Sequence, residues 1–238
     1  MIKKIHQIAF SKQDLTGYVP PNKNNLEGFM PDGEYKLWNF TEAIRLLEED
    51  NATEVLQAIK KINAGALQSD IFRLYIIKKF GGWYVDLNNY IQVSSQDPHI
   101  QNKELIIFGE TQLTAIAPWG IQNGLFYAEP NHPAIQKALA FAVENVNNMY
   151  YGFSPSCPTG PNVLGAAVAS HNLPEDHRQV YGEFIWHVTN RRRGFYYRGS
   201  TEPFALYKPT MLEPGVNNLP GGNNYVEMWH RRELYSEY

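Results

Sequence analysis

The chain has 238 residues, a net charge of −3 and 13% aromatic residues, which suits a globular domain with a sizeable core. The interspersed charges argue against a nucleic-acid binder, which would carry a strongly basic face. Cys157 is the only cysteine, so an intrachain disulfide is excluded. No window approaches the roughly 20 apolar residues of a membrane span. Because residues 2–10 are too short and too polar for a signal peptide, we expect a cytoplasmic protein without a transmembrane segment.

The first third of the chain alternates strand and helix patterns. Residues 2–10 predict a buried first strand, and residues 34–40 predict a second. Between them, residues 11–32 contain adjacent prolines and several asparagines, which indicates a loop long enough to be functional. Helical patterns then cover residues 41–49 and 52–62.

Residues 64–90 predict a helix, an abrupt stop, a short strand and a loop. Apolar residues recur on one helix face, at Leu67, Ile71, Leu74 and Tyr75. Asp70 and Arg73 are three apart on a neighbouring face. Gly81 and Gly82 end the helix, because glycine adopts the left-handed conformation at little steric cost. The aromatic and β-branched residues 83–85 then predict a buried strand.

This strand ends at Asp86 and Asn88. On an extended chain, residues two apart face the same side, so both side-chain oxygens are expected to reach one cation. A hard divalent cation takes oxygen ligands. Such a cation can hold a nucleotide diphosphate and accept charge as that group departs. An asparagine in place of a second aspartate removes one negative charge from such a site.

Later strands are predicted at residues 90–93 and 105–108, and a helix at residues 134–149. We therefore predict an α/β domain with a mostly parallel central sheet, and a ligand site where the strands end. Thr159 and Pro161 are typical of a helix start. The basic residues 191–193 are either an anion-binding cluster or a solvated loop.

The order Ser69-Asp70, Arg73, Gly81-Gly82, Asp86-x-Asn88 resembles the DXD sugar-transferase family. This type includes glycosyltransferase family 32, the yeast initiating mannosyltransferases and the clostridial glucosylating toxin catalytic domains. The first strand is similar to the family's opening strand, with Ala9 where the relatives have tryptophan. Residues 119–127 resemble the family strand that carries an asparagine, here Asn123, and residues 159–161 match its TGP turn.

The resemblance implies a glycosyltransferase A-type, Rossmann-like fold as a single catalytic domain over residues 1–238. Residues 214–238 would form a C-terminal loop and tail that closes the site. The implied reaction moves a hexose from a UDP- or GDP-sugar to an acceptor hydroxyl with Mn²⁺ or Mg²⁺, as in polysaccharide biosynthesis. The relatives retain anomeric configuration, and no pair of carboxylates flanking the anomeric carbon is then required.

By matching position, the resemblance implies three groups of site residues. The catalytic residues would be Asp70, Arg73 and Asp86. The donor-binding residues would be His6, Gln7, Asp70, Arg73, Tyr84, Asn123 and Trp229. The metal ligands would be Asp86, Asn88 and His230.

Other interpretations remain open for several of these residues. His6 and Gln7 are equally consistent with strand residues bonded to nearby backbone. Asp70 and Arg73 are also consistent with a simple ion pair on one helix. The tail with Trp229 is also consistent with an amphipathic segment on the core or on a membrane surface. At the level of function, the alternatives are a catalytically weak or inactive nucleotide-sugar-binding module and a metal-dependent phosphoester hydrolase.

Overall fold

The computed structural model describes residues 1–11, 15–110, 117, 119–171, 179–187, 192–207 and 224–236. The described strands are β1 Lys4–Ala9, β2 Glu34–Asn39, β3 Gly82–Val85, β4 Asn89–Ile91, β5 Leu105–Gly109, β6 Leu125–Ala128, β7 Gln179–His187, β8 Arg192–Tyr197 and β9 Pro203–Tyr207. The described helices are α1 Lys23–Phe29, α2 Phe40–Glu49, α3 Thr53–Lys61, α4 Gly65–Phe80, α5 Pro133–Asn147, α6 Pro161–Ser170 and α7 Tyr225–His230. Among these, no helix is long and apolar enough to cross a membrane.

The central sheet is mixed, and the prediction of a mostly parallel sheet was wrong. In the described part of the chain the strand order is β2-β1-β3-β6-β5-β7-β8-β9-β4. Of its eight strand pairs, three are parallel and five are antiparallel. The parallel pattern holds for β2-β1-β3, but β6 then pairs antiparallel with both β3 and β5. Strand pairing depends on contacts between residues that are far apart in the chain. The alternation of strands and helices therefore did not reveal that β6 is inserted between β3 and β5.

The sheet curls back on itself. β3 and β4 are consecutive in the chain, yet β4 pairs with β9 at the far edge of the sheet. The connection from β3 to β4 can span at most roughly 14 Å. The edge formed by β9 and β4 therefore lies close to the carboxyl end of β3, and a cavity forms between them.

Helix α4 is the central helix of the fold. Its second half is buried almost all round, because it packs against β1, β3, α3 and α5. The helix ends where the sequence predicts, at Gly81 with φ 64°. Gly82 has φ 97°, and a Cβ there would come within 2.6 Å of the Lys4 carbonyl oxygen. Glycine at this position therefore allows β3 to lie directly beside β1.

Two apolar clusters fill the two faces of the sheet. One lies between the sheet and helices α2 to α6, and includes Phe72, Ile76 and Phe126. The other covers the opposite face and includes Trp83, Phe108 and Phe204. Successive residues of β3 alternate between these clusters, so Tyr84 points towards α4 while Trp83 points away from it.

Candidate active site

The acidic and basic residues of α4 meet the carboxylate at the end of β3. Arg73 Nη2 lies 3.1 Å from Asp70 Oδ1, and Arg73 Nη1 lies 3.4 Å from Asp86 Oδ1. The same Nη1 donates to the carbonyl oxygen of Asn123 at 2.7 Å, and Nε donates to the carbonyl oxygen of Ser69 at 3.2 Å. The guanidinium is thus held by several acceptors in one orientation.

Arg73 also lies over the ring of Tyr84, with its Cζ 4.4 Å from the ring centroid. Burial favours the neutral guanidine, but the charges of Tyr84, Asp86 and Asp70 outweigh it and raise the pKa of Arg73 above its ordinary value. The side chain therefore stays cationic although it is buried. Burial also raises the pKa of the Tyr84 hydroxyl well above its usual value.

Asp70 is held by donors from two later segments. Asn123 Nδ2 donates to its Oδ1 at 2.8 Å, and Thr159 Oγ1 donates to its Oδ2 at 3.0 Å. Burial raises the pKa of Asp70, while Arg73 and the two hydrogen bonds oppose that rise. The structure thus brings together the helix carboxylate, Asn123 and the TGP turn, which are far apart in the chain.

Asp86 occupies the carboxyl end of β3. Tyr84 Oη donates to its Oδ1 at 2.7 Å, and its backbone N–H donates to the Gly124 carbonyl oxygen at 2.7 Å. A Cβ at Gly124 would lie 2.5 Å from Asp86 Oδ2. Only glycine at position 124 therefore leaves the carboxylate in place, with 40% of its side chain exposed to the cavity.

The chain turns directly after Asp86. Asn89 N–H donates to the Asp86 carbonyl oxygen at 3.1 Å, so Asp86 and Asn88 lie in a turn. The expectation of an extended chain that directs both side chains to one side was wrong, because this hydrogen bond closes the turn. Asp86 lines the cavity described below, whereas Asn88 is half-buried in the turn and is not among the described lining residues.

Buried amides support this turn from below. Asn22 Nδ2 donates to the carbonyl oxygens of Asp86 and Asn89, at 3.0 and 2.7 Å. Gln7 Nε2 donates to Asn22 Oδ1 at 3.1 Å and to the Val85 carbonyl oxygen at 3.0 Å. Gln7 therefore lies under the site rather than at its surface. Sequence reasoning missed Asn22, since one asparagine in a loop carries no local signal.

His6 is also buried below the site. Its Nδ1 accepts from Trp38 Nε1 at 3.2 Å, and its Nε2 lies 3.2 Å from the Gly81 carbonyl oxygen. Burial lowers the pKa of His6 to about 4. Its ring stacks on Phe80, so it contributes to the junction of β1, β2 and the end of α4.

The three site residues of α4 and β3 line one cavity of about 490 Å³, within the range of ligand pockets. We call it the main cavity. Its other walls come from β7, β8, β9, the start of α6 and the segments after β5, before β6 and before α6, with lining residues that include Glu110, Gln122, Asn123, Ser154, Pro155, Ser156, Gly160, Asn162, Phe184, Arg193 and Tyr207. The sequence reading missed Glu110, Gln122 and Tyr207 because strand pairing brings them here. Arg193 belongs to the basic residues 191–193, of which Arg191 and the side chain of Arg192 lie outside the described residues.

The tail reaches the main cavity through α7. Tyr225 and Val226 line the cavity. Trp229 instead donates from Nε1 to the Tyr151 carbonyl oxygen at 2.8 Å, and His230 is exposed at the end of the helix. Of the predicted closing segment, residues 214–223, 237 and 238 lie outside the described residues.

A second cavity of about 380 Å³ lies at the carboxyl ends of β1 and β2. Its lining residues include Ala9, Leu37, Asn39 and Thr41. Since β1 is parallel to both β2 and β3, this cavity and Asp86 are on the same edge of the sheet. Ligands in α/β folds bind at this edge. No group of three His, Cys, Asp or Glu residues that could hold a metal occurs within the described ranges.

Residues 18–105 match the family model described as a glycosyltransferase sugar-binding region containing a DXD motif. The match covers less than half of the chain, and over this stretch the chain is similar to the DXD glycosyltransferases. The matched segment contains Asp70, Arg73 and Asp86, so the resemblance predicted from those residues is confirmed.

Two further proteins are similar to this chain. It is 24% identical over 139 residues to mannosyl phosphorylinositol ceramide synthase SUR1 of Saccharomyces cerevisiae. That alignment covers 58% of this chain and 34% of the yeast protein, so most of the yeast protein lies outside it. The solved PaToxG glycosyltransferase aligns with a TM-score of 0.40 and 18% identity, over 71% of this chain and 68% of that one.

Proposed function

We propose that this protein transfers a hexose from a nucleotide diphosphate sugar to an acceptor hydroxyl, with a divalent metal ion and retention of configuration. One observation carries the proposal: Asp70, Arg73 and Asp86 all lie in the segment that matches the DXD family model, and they converge on one cavity. A pair of carboxylates flanking the anomeric carbon is not needed for this reaction, unlike hydrolysis by a glycosidase.

The sugar of the donor would lie in the main cavity. Asp70 accepts hydrogen bonds from sugar hydroxyls, and Arg73 donates to sugar or ribose oxygens. Both side chains are already held by Asn123 and Thr159 or by backbone carbonyls, at 2.7 to 3.2 Å. Little reorganisation is then required when the donor binds, and its anomeric carbon is fixed relative to the acceptor.

The nucleoside would occupy the second cavity, at the ends of β1 and β2. The two cavities share the carboxyl edge of the sheet, so a diphosphate between them would pass Asp86. Ala9 lines the second cavity without an aromatic side chain. Phe40 also lines this cavity, so we expect any stacking on the base to come from Phe40 rather than from position 9.

Asp86 would hold Mn²⁺ or Mg²⁺ at the diphosphate. Its carboxylate is partly exposed, and Gly124 leaves room beside Oδ2. One carboxylate with substrate phosphates and water suffices for Mg²⁺ in many sites. We propose that Asn88 contributes an oxygen, directly or through water, after a small change in the turn. His230 would reach this site only if α7 moved. When bound, the ion neutralises charge that develops on the leaving diphosphate.

The proposal is tested by a screen for nucleotide release from UDP- and GDP-sugars, with and without Mn²⁺. We expect metal-dependent release that Asp86→Ala lowers about 100-fold or more, with Asp70→Ala nearly as severe. Asp32→Ala is the matched control, because its side chain is 87% exposed and lies in a surface ion pair. Full activity of Asp86→Ala would refute the site assignment.

A second candidate is a nucleotide-sugar-binding module with weak or no turnover. Asn88 in place of an aspartate favours it, as does the absence of a three-residue metal group within the described ranges. Titration calorimetry with the same donors separates the two functions. Donor binding that Asp70→Ala abolishes, without nucleotide release under any metal condition, would favour the module.

A further inference from the structure

A groove lined by exposed aromatic rings lies beside the main cavity. Trp119, Tyr150 and Phe153 are 47%, 43% and 52% exposed, and all three line a depression of about 240 Å³. Asn145 and Asn162 also line it, so amide groups lie among the rings. Exposed apolar groups clustered in this way mark an interaction site more often than scattered ones do. We call this depression the aromatic groove.

The backbone beneath the rings is firmly held. A Cβ at Gly165 of α6 would collide with the Trp119 carbonyl oxygen, so glycine lets that segment pack directly on the helix. Tyr150 N–H donates to the Asn145 carbonyl oxygen at 2.8 Å, and the Tyr150 carbonyl accepts from Tyr235 Oη at 2.6 Å. The rings of Trp119 and Tyr150 are therefore presented to solvent from anchored backbone.

The aromatic groove lies next to the main cavity. Asn162, near the start of α6, lines both. The loop before α6 separates them: Ser154 and Ser156 face the main cavity, whereas Phe153 and Cys157 face the groove. A molecule in the groove thus lies beside the cavity in which the sugar would be transferred, and a longer molecule could extend from one to the other past Asn162.

Asn162 has unused hydrogen-bonding capacity at this junction. It is 6% exposed, and its Nδ2 donates to Cys157 Sγ at 3.2 Å. Its Oδ1 has no hydrogen-bond partner among the described residues. A buried polar atom without a partner costs free energy, so a rotation of the Asn162 amide that turned Oδ1 towards a ligand hydroxyl in the groove would be favoured.

We propose that the aromatic groove binds a sugar ring of the acceptor, which is then a glycan. The groove is smaller than the roughly 300–1,000 Å³ of pockets for drug-sized ligands, so it suits one ring of a longer molecule. Flat aromatic faces match the apolar face of a sugar ring, and the amides match its hydroxyls. A lipid surface would favour a broad apolar face without buried amides. The assignment of this glycan as the acceptor rests on the proposed function.

Saturation-transfer NMR on the full chain tests the groove without any donor. The probes are the methyl α- and β-glycosides of glucose, galactose and mannose, together with maltose and cellobiose. We expect at least one to bind, and Phe153→Ala and Trp119→Ala each to weaken that binding about tenfold. Tyr181→Ala is the control, since Tyr181 is 41% exposed on β7 and is not among the described residues lining the groove. Circular dichroism verifies the fold of each variant, and Tyr150→Ala replaces any variant that fails to fold.

Absence of binding by all these saccharides, or binding that none of the groove variants weakens, would overturn the proposal. Binding to vesicles of phosphatidylcholine and phosphatidylglycerol that Trp119→Ala weakens, without a saccharide signal, would also overturn it in favour of a membrane surface. The assay contains no nucleotide sugar and no turnover. A negative NMR result therefore does not contradict the proposed donor reaction, and a negative donor screen does not change the NMR result.

Discussion

His6 makes the stability of the fold depend on pH in a way that can be calculated. The ring is 3% exposed, and its Nδ1 accepts a hydrogen bond from Trp38 Nε1. Nε2 then carries the proton and donates to the Gly81 carbonyl oxygen. Protonation of Nδ1 would direct its N–H at the N–H of Trp38 Nε1, so two hydrogen-bond donors would face each other in a buried site. Burial accordingly lowers the pKa of His6 to about 4.

The sign and size of the effect follow from linkage. An unfolded histidine titrates near pH 6.5, so between pH 6.5 and about 4 the unfolded chain binds a proton that the folded chain excludes. His6 thus contributes stability that is fully present above pH 6.5 and is lost as the pH falls towards 4. The difference in pKa corresponds to about 3 kcal/mol of unfolding free energy.

Urea unfolding at pH 7 and at pH 4 measures this contribution. We expect the wild-type protein to lose about 3 kcal/mol more than His6→Gln over this range, because glutamine does not titrate. His99→Gln serves as the control and should follow the wild-type profile, since the His99 side chain is 68% exposed. Equal pH dependence of the wild-type protein and His6→Gln would refute the reasoning.

Further predictions concern the buried ion pair and one close backbone contact. Arg73→Met leaves Asp70 buried without its cation and should lower the unfolding free energy by about 3–5 kcal/mol. The double variant with Asp70→Asn should be more stable than the sum of the single losses predicts, and strict additivity in urea titrations would contradict the coupling. Gly165→Ala should lower the melting temperature by displacing the Trp119 carbonyl, whereas Gly28→Ala, with open space around it, should be neutral or stabilising in the same scan.

Local sequence patterns predicted much of the candidate site. Helix α4, its stop at Gly81 and the strand that ends at Asp86 were all predicted, because apolar spacing and glycine conformation are properties of neighbouring residues. Asp70 and Arg73 lie on α4, and Asp86 directly follows β3. The local predictions of these two elements therefore placed the three side chains close together.

Only the tertiary structure decided what surrounds these three residues. The antiparallel insertion of β6 brings Asn123 and Gly124 to Asp86, and the curled sheet brings β8 and β9 to the main cavity. The turn after Asp86 depends on Asn22, more than sixty positions earlier in the chain. Strand pairing and hydrogen bonds from buried side-chain amides join residues that are far apart in the chain. Periodicity and motifs alone therefore predicted three residues that line one cavity, but not the other walls of that cavity.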